Sequence, residues 1–152
     1  MMLNLHLATS NDLAAVQEIV RAAYTPYVAR IGREPGPMSD DYTALIVADR
    51  VHVAEYRGAV RGLIVLIPQD DAMLIDNVAV SPDAQGLGVG RGLLEFAERA
   101  ALEAGSPGIK LYTNETMTEN IALYTRIGYA ETHRIEENGL RRVYMLKSLG
   151  SD

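Results

Sequence analysis

Apolar and polar positions alternate along LNLHLA (residues 3–8), the two-residue period of a half-buried strand. Thr9, Ser10 and Asn11 then supply capping side chains ahead of DLAAVQEIVRAAY. In that segment Leu13, Val16, Ile19, Val20 and Ala23 recur at helical spacing and form one stripe. Three prolines and two glycines interrupt TPYVARIGREPGPMS, which predicts a loop or a broken helix, and DDYTALIVAD predicts a short second helix. VHVAEY (51–56) and AVRGLIVLI (59–67) flank Arg57-Gly58 as a hairpin, and AMLIDNVAV (72–80) is a further strand after the turn Pro68-Gln69-Asp70-Asp71.

Beyond Ser81-Pro82 the apolar run stops, and a helical period starts at Gly90. It continues through Leu93, Leu94, Ala97, Ala101 and Ala104, with Glu95 and Arg99 four residues apart on its surface. Gly105 and Pro107 end it. IKLYT (109–113) is a strand, and Thr116 with Glu119 has the spacing of a capping box for a helix reaching Ile127 and closed by Gly128. YAETHRIEE and LRRVYMLK flank Asn138-Gly139, a strong two-residue hairpin signal. The predicted order β-α-(α)-β-β-β-α-β-α-β-β describes a mixed α/β (α+β) chain, and 152 residues fit a single domain over 1–152.

Composition narrows the function only by exclusion. Hydrophobic residues make up 48% and charged residues 22%, as in ordinary globular domains. No apolar run approaches membrane-spanning length, and the start MMLNLHLATS lacks the basic and apolar regions of a signal peptide, so neither a membrane partner nor export is expected. The cytoplasm is the expected compartment by default, although the lack of cysteine is equally compatible with export. The absence of cysteine removes disulfides, thiolate metal sites and a cysteine nucleophile. A net charge of −6 argues against nucleic acid as a partner; it is mildly compatible with a cationic substrate, but solubility alone accounts for it better.

The remaining informative feature is the glycine-rich turn between the strand ending at Val80 and the following helix. Glycines let backbone N–H groups approach a ligand closely, and a helix N-terminus adds partial positive charge, so the turn suits a phosphate or pyrophosphate. A GxGxxG motif from Gly88 would need glycine where Leu93 stands. A GxxxxGK[ST] motif from Gly86 would need Gly-Lys where Arg91 and Gly92 stand. What does match is Gln85-Gly86-Leu87-Gly88-Val89-Gly90, preceded by VAVSPDA. This resembles motif A of the GNAT (Gcn5-related N-acetyltransferase) superfamily, and the likeness continues through NIALYTRIGY to the final hairpin.

The resemblance implies a GNAT fold, a mixed and mostly antiparallel sheet of six to seven strands flanked by about four helices. It also implies acetyl-CoA as co-substrate, without a metal. The main chain of Val78, Ala79 and Val80 would hold the pantetheine arm, and Gln85, Gly86, Leu87, Gly88, Val89 and Gly90 the pyrophosphate. Arg91 either pairs with a phosphate or is solvated at the helix start, and Gly92 serves close helix packing. Met117, Asn120, Tyr124 and Ile127 share a helix face. There the resemblance makes Tyr124 the acid that protonates the leaving sulfur, with Asn114 and Asn120 on the cofactor. Arg126 either reaches the adenosine phosphates or is solvated.

Asp76, two residues before Val78, is a candidate general base whose alternative role is to cap a strand irregularity or hold a cationic substrate. His6, His52 and His133 have no spacing suggestive of a metal site or triad. Substrate recognition falls to the irregular segment 24–38, through Tyr24, Tyr27 and Arg30, with Arg33 and Glu34 nearby; a loop covering the sheet edge, or a homodimer contact, would use the same residues. The expected function is N-acetyl transfer to a primary amine of a small molecule or protein by direct attack in a ternary complex. The alternative is a non-catalytic CoA-binding module.

Overall fold

The computed structural model describes residues 3–149. Strands β1 (Asn4–Leu7), β2 (Val51–Tyr56), β3 (Ala59–Pro68), β4 (Met73–Val80), β5 (Gly108–Asn114), β6 (Ala130–Glu137) and β7 (Leu140–Ser148) form one sheet in the order β1-β2-β3-β4-β5-β7-β6. Every neighbouring pair is antiparallel except β4 and β5, which run parallel. Helices α1 (Leu13–Ile31), α2 (Tyr42–Val47), α3 (Val89–Glu103) and α4 (Thr118–Arg126) cover the sheet. None of them is long and apolar enough to cross a membrane.

The unbroken apolar run in β3 reflects a strand buried on both faces. Ile64 and Leu66 enter the core shared with Leu93, Leu94 and Ala97 of α3 and Tyr124 of α4. Leu63 and Val65 enter the core under Val16, Ile19 and Val20 of α1 and Ile46 of α2. Close approach of α3 depends on Gly62, where a Cβ would meet Leu93 and Val89 at 3.0 Å and the Ala79 carbonyl oxygen at 3.1 Å. At Gly92 a Cβ would run into Leu3, in keeping with the packing role expected for that glycine.

Two local expectations differ from the structure. First, α1 does not stop at Pro26 but runs to Ile31, where Gly32 (φ 89°) closes it with an N–H bond to the Val28 carbonyl oxygen at 2.8 Å. Proline removes one helical donor, yet side-chain contacts of the last two turns, described below, hold the helix together. Second, Thr116 and Glu119 do not form a capping box. Asn114 Oδ1 accepts from the Thr116 N–H (3.0 Å) and hydroxyl (2.9 Å), while Glu119 turns outward to Arg30. Elsewhere the helix caps and turns follow expectation: Asn138 and Gly139 take φ of 54° and 77° in the β6–β7 hairpin.

The feature that builds the site lies in β4. Its register with β3 pairs Val65 with Asn77 but Leu66 with Ile75, so Asp76 is an extra, bulged residue. A bulge bends its strand and increases twist. With β5, β4 pairs only at Met73–Ile109, Leu74–Lys110 and Ile75–Leu111. Past Ile75 the two parallel strands part, leaving a wedge in the middle of the sheet.

Candidate active site

The wedge contains two connected cavities. A groove of about 610 Å³ runs along the open edge of β4 past Val78, Ala79 and Val80 to Gln85, Gly90 and Arg91, with α4 as its far bank. A narrower cavity of about 60 Å³ lies behind it, lined by Asp76, Asn77, Tyr112, Asn114, Leu140 and Arg142. Tyr24, Val78, Met117, Asn120 and Tyr124 line both and therefore mark their junction.

At one end of the groove, the chain reverses through Gly86 (φ 83°) and Gly88 (φ 89°), conformations that L side chains rarely adopt. Gly88 N-caps α3 without a side-chain hydrogen bond, and the first helical bond to it comes from Gly92 N–H at 3.0 Å. The N–H groups of Gly86, Gly88, Val89, Gly90 and Arg91 have no main-chain acceptor among the described residues. These orphan donors, at the positive end of a fifteen-residue helix, fit the diphosphate of a coenzyme. Their side chains divide the work differently: Val89 is buried in the core, Leu87 is exposed, and Arg91 reaches along the surface to Glu95 at 3.4 Å.

The orientation of β4's main chain follows from one contact. Tyr24 Oη lies 3.2 Å from the Val78 carbonyl oxygen, on the side away from β3. A strand residue presents its N–H and C=O on the same edge, so the Val78 N–H also faces the groove, and so do those of Val80. Tyr24 itself donates to Asn77 Oδ1; Asn77, only 3% exposed, donates to Tyr42 Oη at 2.9 Å, which in turn donates to the Pro37 carbonyl at 2.5 Å. This chain ties α1, β4, α2 and the turn Gly36–Ser39 into one rigid unit beside the wedge. Burial pushes the Tyr24 and Tyr42 phenols up, so both remain protonated donors.

Tyr124 is 7% exposed, stacked edge-on to Tyr129 at 5.9 Å, and its hydroxyl has no hydrogen-bond partner among the described residues. Burial, with a smaller contribution from Tyr27, pushes it up to about 12. A protonated phenol with a free O–H at the cavity junction is a proton donor in search of an acceptor. Asp76 lines the narrow cavity, where its Oδ1 accepts from Tyr112 Oη at 2.9 Å. Burial and the Asp76 charge both raise the Tyr112 phenol, keeping that donor protonated.

Other expected residues fall in different places. Asn120 borders both cavities, but Asn114 lines only the narrow one, with its oxygen engaged by Thr116. Tyr27 lines the groove, not the narrow cavity, and carries the Arg30 guanidinium 5.2 Å over its ring. Arg30 clamps α1 to α4 through a bidentate pair with Glu119 at 2.9 Å and a bond to the Thr116 carbonyl oxygen. That pair holds Glu119 well down, at about 2. Arg126 lines the groove from α4. Sequence reasoning missed Asn77, Tyr112 and Arg142. Their strands were legible, but no spacing along the chain brings β4, β5 and β7 residues to one cavity.

With this geometry in view, comparison with known proteins is decisive for the family. A family model for the acetyltransferase (GNAT) domain matches residues 48–131, and the chain belongs to that family. A mycothiol acetyltransferase of Jonesia denitrificans is 44% identical over 57 residues, covering 38% of this chain and 18% of that protein. The peptidyl-lysine N-acetyltransferase YjaB of Salmonella typhimurium is 32% identical over 75 residues, covering 49% of this chain and 48% of that protein. The matched stretch thus spans less than half the length of either relative. Among solved structures, a PaiA N-acetyltransferase from Thermoplasma acidophilum in complex with coenzyme A superposes with a TM-score of 0.83 at 18% identity, over 98% of this chain and 100% of that one. The mixed seven-stranded sheet with its four α-helices matches the GNAT fold.

Proposed function

We propose that the chain is an acetyl-CoA-dependent N-acetyltransferase that uses all of residues 1–152 as one catalytic domain and acts on a primary amine in a ternary complex. The observation that carries this reading is the wedge itself: a groove with unpaired main-chain donors meets a second cavity at the free Tyr124 hydroxyl. When bound, acetyl-CoA supplies the acyl group as an activated thioester. The N–H groups of Gly86, Gly88, Val89, Gly90 and Arg91 would hold its diphosphate, and the open edge at Val78 and Val80 its amide-bearing arm.

The narrow cavity then receives the amine. Asp76 takes the proton that the nucleophilic nitrogen must lose, directly or through a water. Tyr124 gives its phenolic proton on the groove side, where a leaving thiolate requires one. The two transfers run in opposite directions across the junction, so the protein's net protonation is unchanged once solvent re-equilibrates both groups. Asn120 borders both compartments and positions the two reactants. The reading puts the chain in the cytoplasm, with an amine-bearing small molecule or protein as its partner.

The test is thiol release from acetyl-CoA across a panel of amines. Tyr124→Phe should lower kcat by roughly 10²–10⁴, the usual worth of a positioned acid, while acetyl-CoA affinity is kept. An unchanged kcat would remove the acid role. Absence of acetyl-CoA binding by calorimetry would remove the whole reading.

A further inference from the structure

We infer that the acceptor is a small free amino acid, its amine held at Asp76 and its carboxylate at Arg142, with the Tyr112 ring as the spacer between the two. The inference rests on the acetyltransferase reading and names the substrate class of that same site.

Arg142 is the observation that points to a ligand. Its side chain is only 15% exposed, and the guanidinium forms part of the wall of the narrow cavity. Glu137 stands 3.5 Å from Nη1 and Tyr144 is a side-chain hydrogen-bond partner; these two oxygens cannot occupy all five donors of a guanidinium. The guanidinium lies over Tyr112, with Cζ 4.3 Å from the ring centroid. A planar, always-charged fork of this kind matches a carboxylate in bidentate fashion.

Two further features build the site around it. Room for the guanidinium is made by Gly36, where a Cβ would come within 2.9 Å of Nη2; Pro35 and Pro37, both buried, stiffen that turn on either side. The other end of the Tyr112 ring donates its hydroxyl to Asp76 Oδ1 at 2.9 Å, leaving the second carboxylate oxygen for an ammonium group. One phenol therefore sets the separation between an anion and a cation that face the same cavity. An α-amino acid carries the complementary pair of charges. A peptide N-terminus does not, because its first carboxyl is an uncharged amide. The cavity is narrow, at about 60 Å³, which favours a small side chain.

The test compares small amino acids with their amides and with the amines that lack the carboxyl carbon, using thiol release with the intact chain. The free acid should exceed both analogues in kcat/KM by roughly 10- to 100-fold, the worth of a charge-assisted pair. Arg142→Met, which keeps bulk over Tyr112, should collapse that ratio toward one, mainly through KM for the acid, and Arg142→Lys should restore part of it. Gly36→Ala keeps the charge but crowds Nη2, and should also erode the ratio; it preserves the test if the Arg142 variants fold poorly. Equal or better turnover of amides and amines by the wild type, or a ratio indifferent to Arg142, overturns the inference. So does a protein that binds acetyl-CoA but turns over none of the three series, an outcome that leaves the cofactor reading standing. Failure to bind acetyl-CoA at all brings down both.

Discussion

The two edges of β4 are treated differently. Against β3, pairing continues through seven positions from Met73 to Val80, with a single bulge at Asp76. Against β5, pairing covers three positions and ceases at Ile75. One edge contributes ladder bonds and a sheet buried on both faces; the other leaves main-chain groups unpaired beside a cavity. Buried backbone donors without partners are costly, so an open seam in the middle of a sheet persists only where the closed seam beside it supplies the stability. The strand thereby separates folding from binding by edge, and substitutions can address one without the other.

Three substitutions probe that division, from the largest expected effect to the smallest. Ile64→Ala acts on the closed seam, at a position with no exposed surface. It should cost about 2–5 kcal/mol of stability and lower Tm by roughly 4–20 °C in a chain of this size, while the surviving folded protein keeps its acetyl-CoA affinity. Loss of affinity without loss of Tm would erase the distinction. Gly88→Val acts at the far end of the open seam, where φ is 89°. It should weaken acetyl-CoA binding by tenfold or more, with a stability cost of only about 1–2 kcal/mol for the left-handed backbone. Equal affinity to the wild type would mean that the orphan N–H groups do not hold the diphosphate.

The smallest effect belongs to the Arg30–Glu119 pair across the mouth of the groove. Glu119 is held down to about 2 by Arg30, so its folded pKa lies below the unfolded one. The pair's contribution is therefore fully present above the ordinary glutamate range and is lost as pH falls toward 2. Glu119→Gln should flatten that part of the acid-unfolding curve and leave Tm at neutral pH within experimental error, because the pair is solvent-exposed. A large drop in Tm at neutral pH would show a heavier structural role.

How much of this was readable in the chain depends on the distance over which each feature is encoded. The seven strands follow the alternation and apolar runs of the sequence, and Asn138-Gly139 makes the expected hairpin, because period and turn chemistry act between near neighbours. The Gly86 and Gly88 turn was legible for the same reason. Asp76 could be suspected of sitting at a strand irregularity, but the parting of β4 from β5 requires strands whose facing residues are 36 positions apart, as Asp76 and Tyr112 are. Arg142 joins them from β7, through its register with Asn114. Pro26 misled in the opposite sense. It has the local chemistry of a helix breaker, and the helix continues because Tyr24 is held by β4 and Arg30 by α4.

The continuation of α1 past Pro26 has a consequence for how a coenzyme gets in and out. The last two turns of that helix and the first turn of α4 form opposite banks of the groove, latched by a solvent-facing guanidinium–carboxylate pair. Such a latch weakens with added salt. The rate at which the spent coenzyme departs should therefore rise with ionic strength, even though nothing at the reacting atoms has changed.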